Sequence, residues 1–206
     1  MPPPRLDQQI AFLEEIDRLK SVVRRTALID RSRLENSAEH SWHLAMMALV
    51  LSEHAPDDTD TGHAIRMLLV HDVVEIDAGD TFAFDVGAHH DKAAREAAAA
   101  DRIFALLPPD LEADLRALWD EFEAGETREA QFANALDRLS GLLQNRGGRD
   151  GGSWQKHGVT RDAVLRRMQP IREGAPALWP FVIQTIEEAT AAGFIKSEAV
   201  ESPGLG

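Results

Sequence analysis

Apolar residues recur at spacings of three and four along almost the whole chain, and this periodicity limits the possible folds more than any other feature. Between residues 7 and 24, Ile10, Leu13, Ile16 and Leu19 repeat every three residues, the spacing of one helix face. The same period predicts further helices over 37–54, 62–76, 90–106, 108–125, 127–145, 160–173 and 176–192. No segment has the alternating pattern expected of a strand. We therefore expect an all-α fold, a single helical bundle.

Signals for helix ends support this assignment. Asn36 precedes one helix with Glu39 three residues on, which is a capping-box pattern, and Thr127 stands where an N-cap is expected. Two stretches lack helical periodicity: GGRDGGS predicts a flexible loop, and GDTFAFDVGAHH, residues 79–90, is long enough to form a functional lid or rim.

The length of 206 residues suits one compact domain. We expect it to span residues 1–206, with a core over about 7–192 and a flexible tail over 197–206. A formal charge of −13 would repel nucleic-acid polymers and anionic membrane surfaces. The start MPPPRLDQQ lacks a secretory signal pattern, no apolar run reaches membrane-spanning length, and the absence of cysteine excludes disulfides and thiolate metal sites. These features predict a cytoplasmic protein with neither nucleic-acid polymers nor membranes as partners.

The stretch LLVHDVVEIDAGD, residues 68–80, places charged side chains in an apolar helix. At 100° per residue Asp72 shares a stripe with Ile65 and Leu69, so its carboxylate should face the interior. His71 lies on a neighbouring stripe. An unpaired buried carboxylate is costly, so we expect Asp72 to be paired with an opposite charge or bound to a metal.

Two other helices can bring partners to these side chains. His40 shares a stripe with Leu44, and Asp137 lies in a lane of small residues that includes Ala133 and Gly141. Small residues let a neighbouring helix approach closely. The inward-facing set is His40, His71, Asp72 and Asp137.

Imidazole and carboxylate donors suit Mn²⁺, Fe²⁺, Co²⁺, Ni²⁺ or Zn²⁺. Spacing alone leaves two alternatives open. An inward histidine can be a hydrogen-bonded core residue, and Asp72 can pair with an arginine. A basic cluster that could supply one consists of Lys20, Arg24, Arg25, Arg31 and Arg33, although a solvated helix end explains the same cluster.

The order and context of these residues resemble a known family. HSWHLA at 40–45, the adjacent His71-Asp72 and the distant Asp137 in ALDRL are similar to the HD-domain metal-dependent phosphohydrolases. The local sequences ENSAEHSW and HDVVEIDAGD resemble in particular the small single-domain branch that includes the bacterial 5′-deoxynucleotidases. The likeness extends from about residue 7 to residues 154–157, and it implies a single HD-domain helical bundle.

The resemblance also implies roles for individual residues. A divalent cation would be held by His40, His71, Asp72 and Asp137. Glu75 would orient or deprotonate the attacking water, or fix a histidine from behind, and Asp80 would assist the leaving group, or stabilise its own turn. Arg25 would contact the phosphate. The deoxynucleotidase pattern has Trp after that arginine, whereas this chain has Thr26, so the resemblance does not extend to the choice of sugar.

The function implied is a phosphomonoesterase that releases phosphate from nucleoside 5′-monophosphates by attack of a metal-bound water. One alternative keeps the site but cleaves another phosphate bond, in a nucleoside triphosphate, a pyrophosphate or a diester. A second alternative is a non-catalytic nucleotide-binding module. The resemblance further implies a homodimer, with a small phosphorylated substrate, a nucleotide, as the other partner.

Several other residues have a structural and a functional interpretation. We interpret Trp42 as a core residue, and Trp154 as the anchor of the glycine-rich loop. Lys92 is close enough in sequence to the 79–90 loop to reach a phosphate. The pair His89-His90 is either solvated or a second metal site, and Lys156 and His157 could close over the site.

Overall fold

The computed structural model describes residues 3–80, 91–148 and 150–197, and these ranges are helical apart from one small hairpin. The elements in chain order are α1 (Arg5–Ile16), β1 (Val23–Ala27), β2 (Leu34–Asn36), α2 (Ser37–Val50), α3 (Thr61–Val70), α4 (Glu75–Ala78), α5 (Lys92–Phe104), α6 (Pro109–Ala124), α7 (Arg128–Gly147), α8 (Gly152–His157), α9 (Arg161–Gly174) and α10 (Trp179–Ala191). Short 3₁₀ helices cover Asp17–Ser21, Ser52–His54 and Pro176–Leu178. The all-α prediction is confirmed. The predicted lid or rim, with His89-His90, lies almost entirely outside the described residues, as does the predicted tail.

The longest helix, α7, runs through the centre of the bundle and packs against α2, α3, α6 and α9. Its inward face carries Phe132, Leu136 and Leu142, all fully buried. Between them, Ala133 and Ala135 are also fully buried, and their small side chains let the neighbouring helices come close. The buried apolar residues of the described chain form one continuous cluster. Because α7 also carries Asp137, this packing sets the depth of the candidate site.

The segment before α2 departs from the predicted helices. The helix predicted over 7–24 ends at Ile16, and β1 then pairs antiparallel with β2. Along β1, Arg24 and Thr26 face the body of the protein, whereas Val23 and Arg25 point outward. The expectation of no strand was therefore wrong. Both strands are short and mostly polar, so apolar alternation could not reveal them.

The helix predicted over 62–76 is interrupted within the charged stretch. α3 ends at Val70, and the backbone then tightens into i→i−3 hydrogen bonds, including Val73 to Val70 and Glu75 to Asp72. Such tightening inside a helix often marks a functional hinge or a sequence under strain. The change of pitch also breaks the predicted stripe, because Leu69 is 50% exposed while Asp72 is buried.

The predicted caps are present. The Asn36 side chain accepts from the backbone of Glu39, and the Glu39 carboxylate accepts from the backbone of Asn36. The Thr127 hydroxyl accepts from the backbone of Ala130 at the start of α7. The N-cap of α2 matters for the site because it fixes the first turn of the helix, which carries His40.

One aromatic residue lies opposite to its predicted place. Trp42 is 63% exposed, so its assignment to the core was wrong. It begins an exposed apolar row on α2 that continues with Met46, Leu49 and Val50.

Among the described residues, no helix is long and apolar enough to span a membrane.

Candidate metal centre

The structure brings together the four residues predicted as metal ligands. His40 comes from α2, His71 and Asp72 from the 3₁₀ stretch after α3, and Asp137 from α7. Candidate ligand atoms of His40, His71 and Asp72 all lie within 4.8 Å of one another. Asp137 joins them through its Oδ1, which is 2.9 Å from Nε2 of His40. Residues almost 100 positions apart in sequence thus converge on one point of the core.

The His71 imidazole is oriented by the backbone of its own turn. Its Nδ1 lies 2.8 Å from the carbonyl oxygen of Leu68. A carbonyl oxygen can only accept, so Nδ1 carries the proton and Nε2 of the neutral ring has a free lone pair. That buried Nε2 has no hydrogen-bond partner and lies 3.1 Å from Oδ1 of Asp72. Two acceptors face each other at this distance, and a cation between them would remove the repulsion.

The His40 imidazole is oriented in the same way by a buried carboxylate. Its Nδ1 is 3.3 Å from Oε2 of Glu35, whose side chain is only 3% exposed, and its Nε2 faces Asp137. Burial would by itself lower the pKa of His40, and Arg24 adds to that, but the carboxylates of Asp137 and Glu35 raise it to about 9. The carboxylate behind Nδ1 leaves Nε2 to face the centre.

The donor set fits a divalent cation. Each imidazole has an oxygen near Nδ1, hydrogen-bonded for His71 and at 3.3 Å for His40, and both present Nε2 to an aspartate oxygen, at 3.1 and 2.9 Å. A carbonyl or carboxylate behind each ring is the usual arrangement around histidines that bind metals. Two nitrogen and two oxygen donors agree with the range of metals predicted from the sequence.

Arg24, rather than Arg25, projects into this cluster. Its Nη1 donates to Oδ2 of Asp72 at 2.7 Å and lies 3.8 Å from Oδ1 of Asp80. Burial alone would lower the pKa of Arg24, but the carboxylates around it, Asp72 foremost, raise it. Asp72 therefore pairs with an arginine, and this pairing is one of the two alternatives to a metal that the sequence left open.

The side chain of Arg25 is on the exposed face of β1 and lines neither cavity of the site. Only its backbone N–H approaches, 3.3 Å from Oδ2 of Asp80. This placement argues against the phosphate contact predicted for Arg25. The alternating faces of β1 would have selected Arg24, had the strand been recognised. The remaining members of the basic cluster pair with carboxylates elsewhere: Lys20 with Asp17, Arg31 with Asp150 and Arg33 with Glu39.

Glu35 was also missed by the sequence analysis. It belongs to β2, is 2% exposed and lies behind the His40 ring. Its Oε2 is also 3.6 Å from Nε of Arg24. The segment ENSAEHSW could have indicated it, because the alternation along β2 points Glu35 inward between exposed Leu34 and half-buried Asn36.

Glu75 lies one turn beyond His71 and is 7% exposed. The Ser37 hydroxyl donates to its Oε2 at 2.6 Å. Burial, followed by the charge of Asp72, raises the pKa of Glu75 to about 9. The carboxyl group is thus directed into the cluster by α2 and is not a surface residue of α4.

Asp80 follows Gly79, whose φ of 73° ends α4. Its side chain is only 11% exposed and accepts from Arg25 of β1, so it joins two distant segments. The structural alternative, a residue stabilising its own turn, does not describe these contacts. Asp80 lines both cavities beside the cluster.

Two adjoining cavities open at the cluster. The larger, about 220 Å³, is bordered by His71, Asp72 and Glu75, and also by Lys92, whose Nζ pairs with Glu96 at 3.2 Å. The smaller, about 90 Å³, is lined by Thr26 and His40 among others.

The residues after the glycine-rich loop play a structural part. Trp154 is 2% exposed and packs in the core, which confirms it as an anchor of that loop. Its backbone and that of Ser153 donate to Asn145. Lys156 and His157 are on the exposed side of α8 and line neither cavity.

Proteins with the same domain are known. Residues 16–179 match the HD domain family. The 5′-deoxynucleotidase HDDC2 of Homo sapiens is 34% identical over 137 residues, which are 66% of this chain and 65% of that protein. The Bos taurus protein of the same name is 35% identical over 138 residues, with the same coverage. The match thus spans slightly less than two thirds of these relatives.

Solved structures show the same architecture over nearly the whole chain. A predicted metal-dependent phosphohydrolase from Magnetospirillum magnetotacticum MS-1 has 49% identity and a TM-score of 0.88, covering 93% of this chain and 95% of that one. A conserved hypothetical protein from Pyrococcus furiosus, with 20% identity and a TM-score of 0.57, shares the fold.

Proposed function

This chain belongs to the HD domain family, and on that premise we propose that it is a metal-dependent phosphomonoesterase that releases phosphate from nucleoside 5′-monophosphates. The observation that carries the proposal is the pair of imidazoles whose Nε2 atoms face aspartate oxygens at 3.1 and 2.9 Å. Relatives named 5′-deoxynucleotidase support a nucleotide substrate.

The proposed ligands are His40, His71, Asp72 and Asp137. Their N₂O₂ donor set suits Mn²⁺, Fe²⁺, Co²⁺, Ni²⁺ or Zn²⁺. A divalent cation bound there would lower the pKa of a coordinated water and offset the charge of the phosphoryl oxygens.

Two further carboxyl groups are proposed to handle protons. Ser37 holds Oε2 of Glu75, which leaves Oε1, 4.0 Å from Arg24, to accept a hydrogen bond from the attacking water. Asp80, at the border of both cavities, is placed to protonate the departing oxygen. Arg24 replaces Arg25 as the arginine proposed to lie beside the phosphate.

The function is tested by phosphate release from a panel of ribo- and deoxynucleoside 5′-monophosphates with Mn²⁺, Co²⁺, Ni²⁺, Zn²⁺ or chelator. We expect release that depends on the metal, and the ratio of ribo to deoxy rates tests the effect of Thr26. The panel includes diesters, pyrophosphates and nucleoside triphosphates. Exclusive cleavage of these would favour another phosphate bond, and tight nucleotide binding without turnover would favour a binding module. Either result would contradict the proposal.

Replacement of Glu35 by glutamine is expected to weaken metal affinity about 10- to 100-fold, the usual effect of residues behind a ligand histidine. The amide keeps the shape of the side chain but removes the charge 3.3 Å from His40 Nδ1. Metal dissociation constants measured by competition with a chelating dye check this. Glu53→Gln is the matched control, because Glu53 is an exposed glutamate that lines neither cavity of the site. Equal metal affinity in the Glu35 variant and in wild type would show that Glu35 does not support the metal site.

We further propose that the chain forms a homodimer through α2. Trp42, Met46, Leu49 and Val50 lie four, three and one residues apart, on one face of the helix, and are 39–69% exposed. Leu69 of the adjoining α3 is 50% exposed. Large contiguous apolar patches on a protein surface commonly mark protein–protein contacts.

Substitution of Leu49 by glutamate is expected to convert the dimer to a monomer, because the interface would have to bury an unpaired charge. Light scattering coupled to size-exclusion chromatography measures the mass. Leu13→Glu serves as the control, since Leu13 is equally exposed, at 56%, but lies on α1. A monomeric wild type, or a dimer that only Leu13→Glu disrupts, would contradict this interface.

The domain boundaries and the location stay predictions from the sequence. We propose one HD domain over residues 1–206, supported by the single buried cluster of the described residues. We propose a cytoplasmic location, supported by the absence of cysteine and the charge of −13.

A further inference from the structure

Three arginines meet where the two cavities adjoin. Arg24 of β1, Arg138 of α7 and Arg167 of α9 each line both cavities. Arg24 donates to Asp72 at 2.7 Å, and Arg138 donates to Oδ2 of Asp137 at 2.6 Å. The charges of these two guanidinium groups are therefore balanced by residues of the candidate metal centre.

Arg167 differs from the other two because no carboxylate of the described residues pairs with it directly, although it lies close enough to Asp137 to feel its charge. Within the described parts of the chain, its guanidinium has no ion pair or hydrogen bond, although the residue is half-buried. Burial, together with the positive charges of Arg138 and Arg24, lowers the pKa of Arg167 to about 10, and the negative charge of Asp137 opposes this shift. An unpaired, half-buried cation beside two others is electrostatically unfavourable.

A ligand anion would compensate this charge. The planar guanidinium presents paired N–H donors that match the oxygens of a phosphate. Arg167 borders the same cavities as Asp137 and Asp80, so an anion held by it would lie beside the candidate metal centre. Carboxylates line much of the rest of the larger cavity, so the arginines are the part of the cleft that can attract a phosphate ester.

We propose that Arg167, with Arg138 beside it, binds the non-bridging oxygens of the substrate phosphoryl group and of the orthophosphate product. This inference rests on the proposed function for the identity of the reacting group. Phosphate binding can nevertheless be measured without turnover. Arg167 is thus a substrate-binding residue contributed by α9, a helix that carries none of the residues predicted from the sequence.

The neighbouring Arg166 provides a matched control. It lies on the same helix, is exposed and lines neither cavity. Arg167→Met removes the charge and keeps the length of the side chain, whereas Arg167→Lys keeps a point charge without the paired donors. Arg166→Met removes an equal charge from the same helix.

The experiment measures the dissociation constant of inorganic phosphate by calorimetry, on metal-loaded and on chelated protein, together with KM and kcat for a nucleoside 5′-monophosphate. We expect Arg167→Met to weaken phosphate binding and raise KM on the order of 10- to 100-fold. The lysine variant should be intermediate and Arg166→Met unchanged. Thermal unfolding midpoints of all three should stay at or above that of wild type, since no native partner of Arg167 is lost.

The outcomes separate this inference from the proposed function. If the protein hydrolyses no phosphomonoester but binds phosphate, and Arg167→Met weakens that binding, the result would support the anion site and contradict the proposed phosphomonoesterase. Hydrolysis with an unchanged phosphate dissociation constant and KM in Arg167→Met would overturn the inference and leave the activity in place. Wild-type protein that binds no phosphate would also overturn it.

Discussion

Asp72→Asn is expected to abolish stable binding of a divalent metal and to lower phosphate release more than about 100-fold, since even a residue behind a metal ligand is worth about 10- to 100-fold. The neutral amide keeps the size of the side chain, but it removes the anionic oxygen that faces Nε2 of His71 at 3.1 Å. Metal retained after gel filtration, measured by mass spectrometry, and phosphate release from the same sample check the two effects together.

The control for this substitution is Asp77→Asn. Asp77 belongs to the same charged stretch, but its side chain is 30% exposed and pairs with Arg102 away from the site. We expect this variant to keep both its metal and its activity. A folded Asp72→Asn protein that retained both would show that the imidazole–carboxylate cluster is not the metal site.

Gly174→Ala is expected to lower the free energy of unfolding by about 1–3 kcal/mol, the usual cost of overpacking. A methyl group on Gly174 would overlap the backbone carbonyl of Gln131 and lie 2.9 Å from the backbone nitrogen of Phe132. Backbone atoms of α7 cannot move aside as a side chain can, so α9 would have to separate from α7. Denaturant unfolding followed by circular dichroism measures the change.

Gly141→Ala provides the opposite expectation for the same chemical change. No atom lies within 4 Å of the added methyl group at this position of α7, and alanine favours a helix over glycine by about 1 kcal/mol. We therefore expect Gly141→Ala to be as stable as wild type or more so. If both variants had the same stability as wild type, the close contact of α9 with α7 would not exist in solution.

The helices and their caps could be predicted from the sequence because they depend on neighbouring residues. The box of Asn36 and Glu39 and the N-cap of Thr127 are formed within one turn. The cluster of imidazoles and carboxylates could also be predicted, because an inward-facing carboxylate such as Asp72 in an apolar segment requires a partner. The helix stripes also marked His40 and Asp137 as inward-facing, and the resemblance then implied that they share one metal site with Asp72.

The hairpin could not be predicted in this way, and without it the sequence pointed to Arg25 instead of Arg24 at the candidate site. A five-residue strand containing two arginines has no apolar alternation, yet its pleat decides that Arg24 points in and Arg25 points out. Glu35 was missed for the same reason. Arg167 was missed because its position depends on the packing of α9 against α7, which distant parts of the chain determine together.

The other errors arose where a regular pattern ends. The tighter turn after Val70 rotates the residues that follow it, so Asp72 is buried although Leu69, which a constant 100° per residue places on the same stripe, is half-exposed. Trp42 was assigned to the core because it follows His40 by two residues and was expected to pack on the opposite face of the helix, but that face is exposed. Its exposure fits a surface that another copy of the chain covers, as proposed for α2.

The most direct measurement is a titration of Mn²⁺ into chelated wild-type protein, with bound metal and phosphate release from a nucleoside 5′-monophosphate followed in the same samples. We expect no release before metal is added, and a rate that rises in proportion to bound metal until one ion per chain is held by His40, His71, Asp72 and Asp137. Release that is independent of metal, or full occupancy of the site without release, would contradict a metal-dependent phosphomonoesterase.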